Sequence, residues 1–254
     1  MIKTKIKPII FSGPSIPAIQ NLKPDTWPPE PVDPGRPWKY MTRRIMKPQP
    51  PEGYFIGPCG YSGSGWSLWG RGGHGKPDGC TCTPVKCPYP PGTRLYVKEA
   101  WAWLPSWNCD NNMCNCETVY KDELGCFNYR ANYGTTRDDS FPPDTFKWKS
   151  SRFMPKAAAR LFLEVKSVRP ERLQEISHED AIAEGVMQWI CEEHKSGSYL
   201  DNAMRGAACA KPERAFALLW DSIYGKKYPW ESNPYVWVYE FAREEKEDAL
   251  MSQM

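Results

Sequence analysis

The chain has 254 residues, 41% of them hydrophobic and 25% charged, with a net charge of +3. It is long enough to bury a proper core, ordinary in composition for a globular protein, and too weakly basic for charge alone to imply nucleic-acid binding. No apolar run approaches the roughly 18 residues a membrane span needs, and the start, Met1-Ile2-Lys3-Thr4-Lys5, has no signal-peptide core, so a cytoplasmic chain with reduced thiols is expected. The 26 prolines and 19 glycines call for long irregular segments, and the 12 tryptophans and 13 tyrosines for many flat amphipathic surfaces.

In chain order, the first expected element is a strand at Ile6-Lys7-Pro8-Ile9-Ile10-Phe11. Residues 23–37 form a proline-rich excursion in which no regular element can persist. The basic segment Lys39-Tyr40-Met41-Thr42-Arg43-Arg44 follows. Residues 51–91 are glycine-rich and loop-like. Arg94 to Trp101 alternates as a strand with Leu95, Val97, Glu99 and Trp101 on one face, where a carboxylate is the informative residue. Residues 104–145 return to irregular, Cys- and Asp-rich sequence with a short strand at Phe127-Asn128-Tyr129-Arg130.

The remainder is more regular. Arg160 to Val165 reads as a strand. Ser177 with Asp180 looks like a helix N-cap with an acid three residues on, opening a short helix that stops at Gly185. Pro212 to Tyr224 reads as an amphipathic helix with Phe216, Leu219, Trp220 and Ile223 on one face. Tyr235 to Phe241 is apolar on both faces and hence a central strand, and residues 242–254 form a charged tail. Strands with few helices and no βαβ rhythm predict an α+β fold.

Charge is unevenly spread. Residues 1–50 carry nine Lys/Arg against three acids, residues 147–172 eight against two, and 173–201 is acidic. Two converging basic segments would attract phosphate, though solvated surface charge accounts equally well for them. Ten cysteines offer two ligand sets for a structural zinc: Cys59, Cys80, Cys82 and Cys87, with His74 nearby, and Cys109, Cys114, Cys116 and Cys126. Both lie in loops with little apolar material, where a metal could substitute for a core, but C-x-C spacing is tighter than the usual C-x2–4-C pair. No organic cofactor is expected.

Several motifs occur in a distinctive order: Lys7-Pro8-Ile9-Ile10-Phe11, Lys-x-x-Thr-Arg-Arg at 39–44, Gly92 to Glu99, and Lys147-Trp148-Lys149 with Met154-Pro155-Lys156. Arg160-Leu161, Ala183-Glu184-Gly185-Val186 and Asn233 to Val238 complete the set. Together they resemble the ASCH domain family, in particular its phage and prophage-encoded members, across residues 7 to 241. The resemblance implies one domain over 1–241, a PUA-like β-barrel with flanking helices and long Cys/Gly/Pro-rich insertions at about 23–37, 51–91 and 104–145. It also implies a nucleoside, RNA or single-stranded nucleic-acid partner. One branch of the family is similar to an amidohydrolase that deacylates N4-acetylcytidine with a Lys, a Thr three residues on and a helical Glu. By motif these fall on Lys39, Thr42 and Glu184.

That trio makes chemical sense. A Thr hydroxyl needs a base, a Lys is a base only when neutral, and burial beside Arg43 and Arg44 would favour the neutral amine. Glu184 would serve as general acid or base, or activate water directly. The bland alternative is that Lys39, Arg43 and Arg44 hold a phosphate or base edge and Thr42 donates one hydrogen bond, a non-catalytic reader of RNA or of a modified base. A ribonuclease is the weaker third reading. Glu99 would read a cytosine-like donor edge or else pair with Arg43 or Arg44. Trp101 and Trp103 would stack on a base or pack in the core.

Overall fold

The computed structural model describes residues 6–11, 15–34, 36–58, 65–69, 83–105, 121–122, 125–133, 147–190, 197–200 and 211–245. In chain order the elements are β1 (Lys7–Ile10), α1 (Ser15–Gln20), β2 (Met41–Ile45), β3 (Phe55–Pro58), β4 (Trp66–Trp69), β5 (Thr83–Pro84), β6 (Arg94–Lys98), β7 (Trp101–Pro105), β8 (Lys121–Asp122) and β9 (Gly125–Tyr129). They continue with β10 (Phe162–Arg172), α2 (His178–Ala183), β11 (Met187–Ile190), β12 (Gly197–Leu200), α3 (Pro212–Tyr224) and β13 (Tyr235–Glu244). The class is α+β, as expected. Among the described residues the sheets are open and none closes into a barrel.

The chain divides into two compact units. The first comprises residues 1–38, 93–164 and 242–254, and the second residues 39–92 and 165–241. In the first, β1 runs parallel to β6, with Lys7 opposite Leu95, and the start of β10 pairs antiparallel to β6, with Phe162 opposite Tyr96. The expected alternation of Leu95, Val97, Glu99 and Trp101 survives as four buried side chains. The strand itself stops at Lys98 and restarts at Trp101, where β7 pairs with β9. Trp101, Tyr129, Met154, Ala158, Ala159 and Phe162 form the core of this unit.

In the second unit the rest of β10 lies beside β13, and β13 beside β2. The register sets Thr42 opposite Tyr239 and Arg43 opposite Val238. Val236, Trp237, Val238 and Tyr239 are all buried, the mark of a central strand. One face is covered by α2 and α3, which contribute Ala181, Ala183, Phe216, Leu219 and Trp220 to a core with Met41, Val236 and Val238. Burying each large side chain there contributes about 1.5–3 kcal/mol. Ile223 leaves the predicted face at 51% exposure. The helical stripe drifts in the last turn, and Tyr224 packs against Trp220 instead, ring centroids 4.5 Å apart.

Residues 51–91 are not wholly loop. β3, β4 and β5 make a three-stranded antiparallel sheet, and Met187–Ile190 with Gly197–Leu200 a hairpin. The element that matters most to the site is α2. The Ser177 side chain accepts from the Asp180 N–H at 3.1 Å, the expected N-cap. Glu184 ends the helix, and Gly185 follows at φ 95°, a left-handed conformation that glycine adopts without a Cβ clash. Two substitutions test these boundaries. Ser177→Ala should cost about 1 kcal/mol of unfolding free energy in urea, and Gly185→Ala about 1–2 kcal/mol.

Candidate active site

Two of the three residues picked out by motif meet. The Lys39 ammonium donates to Glu184 Oε2 at 2.5 Å and to the Glu184 carbonyl at 2.7 Å, across 145 residues of sequence. Both residues are 3% exposed. The carbonyl belongs to the last turn of α2, where backbone acceptors lack helical partners, so Lys39 closes the helix end as well as pairing its carboxylate. The approach is fixed by backbone bonds on either side: Tyr40 N–H donates to Ala183 O at 3.2 Å, and Phe241 N–H to Tyr40 O at 2.8 Å.

Burial is the dominant influence on Lys39 and pushes its pKa down. Glu184 pulls it back up by charge and hydrogen bond, and Arg44 and Arg43 push it down again. The outcome lies below the ordinary lysine value. Thr42 is 4% exposed and lies on β2 opposite Tyr239. Among the described residues it hydrogen-bonds through its side chain to neither Lys39 nor Glu184.

Arg43 is not the open anion-binding cation that the basic segment suggests. Its side chain is fully buried and committed to carboxylates: Nη2 lies 2.5 Å from Glu171 Oε1 and 2.5 Å from Asp180 Oδ2, and Nη1 lies 3.5 Å from Glu184 Oε1. The guanidinium also sits 5.7 Å from the Phe216 ring centre. Arg169 extends the array, with Nε 3.1 Å from Glu171, Nη2 2.5 Å from Asp180 and Nη1 2.8 Å from Glu240. Lys39, Arg43 and Arg169 therefore face Glu171, Asp180, Glu184 and Glu240, three cations against four acids. A basic pocket becomes a mixed-charge network with one carboxylate in excess.

Asp180, Glu171, Arg169 and Glu240 are the members sequence reasoning missed. One signal was available: Asp180 and Glu184 stand four apart on a helix, a repulsive spacing unless a cation is shared between them. Alternation along β2 turns Thr42 and Arg44 to the opposite side from Met41 and Arg43. Arg44 Nη1 lies 3.5 Å from the Tyr224 hydroxyl. The Tyr239 ring meets Tyr89 edge-on at 5.5 Å. Burial, then the neighbouring Cys87 thiol, push the Tyr239 phenol well up, so it stays protonated.

The remaining candidates stand elsewhere. Glu99 and Trp101 belong to the first unit. Glu99 is bound bidentately by Arg160 at 2.8 and 2.9 Å, not by Arg43 or Arg44, and Arg160 lies 4.1 Å from the Tyr129 ring centre. At 2% exposure Glu99 is a structural partner. Trp101 is core, 6% exposed, with Lys149 Nζ 4.8 Å from its ring centre. Trp103 packs on Phe127, centroids 4.7 Å apart.

Of the proposed zinc ligands, Cys59, Cys80, Cys82, His74, Cys109, Cys114 and Cys116 lie outside the described residues. Cys87 belongs to the second unit and the buried Cys126 to the first. Compared with protein-family models, curated proteins and solved structures, the chain matches none.

Two measurements test the network. Between its lowered native pKa and the ordinary value of 10.5, Lys39 binds a proton in the unfolded chain but not in the native one, so stability should rise with pH across that window. Lys39→Met should flatten the rise in urea titrations run at stepped pH; an unchanged slope would refute the linkage. Arg43→Met leaves three carboxylates without their shared cation and should cost about 3–5 kcal/mol, and Arg43→Lys should not restore it, because one ammonium cannot serve the fork geometry.

Proposed function

We propose that the protein is an ASCH-type, PUA-like hydrolase that removes the acyl group from an N4-acylated cytosine nucleoside or a related modified base. The observation that carries this reading is the buried Lys39–Glu184 pair, 2.5 Å apart at the end of α2. A buried ion pair adds little net stability over apolar packing. A short contact between a base held below its usual pKa and a carboxyl group is instead suited to moving a proton.

Thr42 lies on the opposite side of β2 from Arg43 and, among the described residues, hydrogen-bonds to neither Lys39 nor Glu184, which favours the route without an acyl-enzyme. In the proposed reaction Glu184 or neutral Lys39 takes a proton from water as its oxygen attacks the amide carbonyl carbon. The C–N bond then breaks, and the proton passes through the Lys39–Glu184 pair to the departing N4 amine, releasing a carboxylic acid. In the other route Lys39 takes the Thr42 hydroxyl proton and a threonyl ester forms before water releases the acid; trapping an acyl-enzyme distinguishes the two. Arg43 acts by holding Glu184, not by binding phosphate. The same reading puts the protein in the cytoplasm and a structural zinc in its Cys-rich segments.

Incubation with N4-acetylcytidine should release cytidine. Lys39→Ala and Glu184→Ala should each lower kcat/KM by about a hundredfold or more, and an equal loss in Thr42→Ala would establish the threonine route. The rate should climb with pH as Lys39 loses its proton, at a pH below the ordinary lysine value. Activity surviving the triple substitution would sink the proposal, and binding without turnover would make the protein a reader of the modified base. Protein purified without chelator should carry about one zinc, and less than about 0.2 equivalents would count against any structural site.

A further inference from the structure

Arg43 reaches three carboxylates and does not bind them alike. Its Nε and Nη2 lie 3.0 and 2.5 Å from Glu171 Oε1, and Nη2 lies 2.5 Å from Asp180 Oδ2. The remaining arm, Nη1, stands 3.5 Å from Glu184 Oε1, with Met41 Sδ at the same distance. Lys39, by contrast, sits 2.5 Å from the other oxygen of Glu184. A guanidinium commonly closes on a carboxylate through two parallel short bonds. Glu184 is denied that fork although the cation is fully buried beside it.

The restraint is built from two elements, α2 and β10. Arg169 donates Nη2 to the same Asp180 oxygen at 2.5 Å and Nε to Glu171 Oε2 at 3.1 Å, so each of these carboxylates is gripped by two guanidiniums. The four side chains close a ring, Arg43–Asp180–Arg169–Glu171, whose inner member Arg43 is fully buried and whose outer member Arg169 is 35% exposed. Glu240 on β13 fixes Arg169 from outside the ring, 2.8 Å from Nη1. Arg44 on β2 joins the charged surroundings of Lys39. The Tyr40 phenol is held up by burial and by the charges of Glu240 and Asp180, and stays protonated. α3 faces the ring with Phe216, 5.7 Å from the Arg43 guanidinium.

We propose that Asp180, with Glu171, is a positioning residue for the Lys39–Glu184 pair: it holds the Arg43 guanidinium back from Glu184 and so leaves that carboxylate to the lysine. The inference rests on the hydrolytic reading and names what regulates its proton-transfer pair. A guanidinium closed fully on Glu184 would occupy its lone pairs and oppose its charge, weakening both the lysine's partner and the carboxylate's capacity to accept a proton. Arg169 acts in the opposite sense. It neutralises Asp180 and Glu171 and thereby loosens their hold on Arg43, so its removal should tighten the restraint.

Two variants break the same Arg169–Asp180 contact and should act in opposite directions, which a purely structural role for that contact does not allow. Asp180→Asn should lower the Lys39 proton affinity about threefold or more, read by NMR titration of isotope-labelled lysine side chains in the full chain, the Lys39 signal being assigned by its loss in Lys39→Met. Arg169→Gln should raise that affinity. With N4-acetylcytidine, the rising limb of kcat/KM should begin at lower pH in Asp180→Asn and at higher pH in Arg169→Gln. In Asp180→Asn kcat on the plateau should also fall while KM holds, because Arg43 now shares Glu184; loss of charge alone would leave the plateau in place. A crystal structure of that variant should show Arg43 closed on Glu184 through short paired bonds. Glu171→Gln, on a different element, should repeat the Asp180→Asn pattern and decides the matter if that variant does not fold. Shifts of the same sign in Asp180→Asn and Arg169→Gln, an unmoved Lys39 titration, or Arg43 still held away from Glu184 in the carboxylate variants would each overturn the proposal. If the parent protein turns over no N4-acetylcytidine, the hydrolytic reading falls, and the titration and the crystal structure still decide this one.

Discussion

Burying the Lys39 ammonium against Glu184 is the constraint around which the second unit is arranged. Neither charge can leave water cheaply, and the attraction between them repays desolvation only when geometry is good and the remaining donors and acceptors are occupied. The surroundings supply those conditions. The helix end gives Lys39 a second acceptor, and Arg43 gives Glu184 a second cation. Arg43 is in turn distributed over Glu171 and Asp180, and Arg169 ties those two to Glu240 on β13. Each step spreads charge that the previous one would leave uncompensated.

The short helix α2 is better understood in that light. Six residues form a marginal helix by themselves. It persists because Ser177 closes one end, Lys39 and Gly185 close the other, and Ala181 and Ala183 pack into the core. Fold and site are here the same set of contacts. Rigid placement of Glu184 relative to Lys39 is also what proton transfer demands.

Much of this was legible where the determinants are local. The caps of α2, the proline start of α3 and the two-faced apolar run of β13 are written in neighbouring residues, and the structure follows them. β10 extends to Arg172, beyond the expected strand: it lies beside β13, but its second half is polar, with Arg169 and Glu171 in ion pairs, so no apolar alternation marks it. β3 to β5 and the β11–β12 hairpin are too short and glycine-interrupted for periodicity to register. The network was illegible for another reason. Arg43 finds its carboxylates 128, 137 and 141 residues away, and no local pattern in a cationic segment indicates which acids will neutralise it. Glu99 shows the converse: its burial was readable from alternation, whereas its partner Arg160 was not.

The two units are threaded through one another in sequence. The chain passes between them at 38/39, 92/93, 164/165 and 241/242. In the first unit, residues near both ends of the described chain meet: Asp25 N–H donates to the Arg243 carbonyl at 2.8 Å, and the Arg243 guanidinium to the carbonyls of Gln20 and Leu22. No single cut can therefore release either unit as a continuous fragment. On the ribosome, the first unit waits for the final strand to emerge before its hydrogen bonds can close. The carbonyls of Gln20 and Leu22 and the N–H of Asp25 therefore lack these partners until Arg243, more than 200 residues later, has been made.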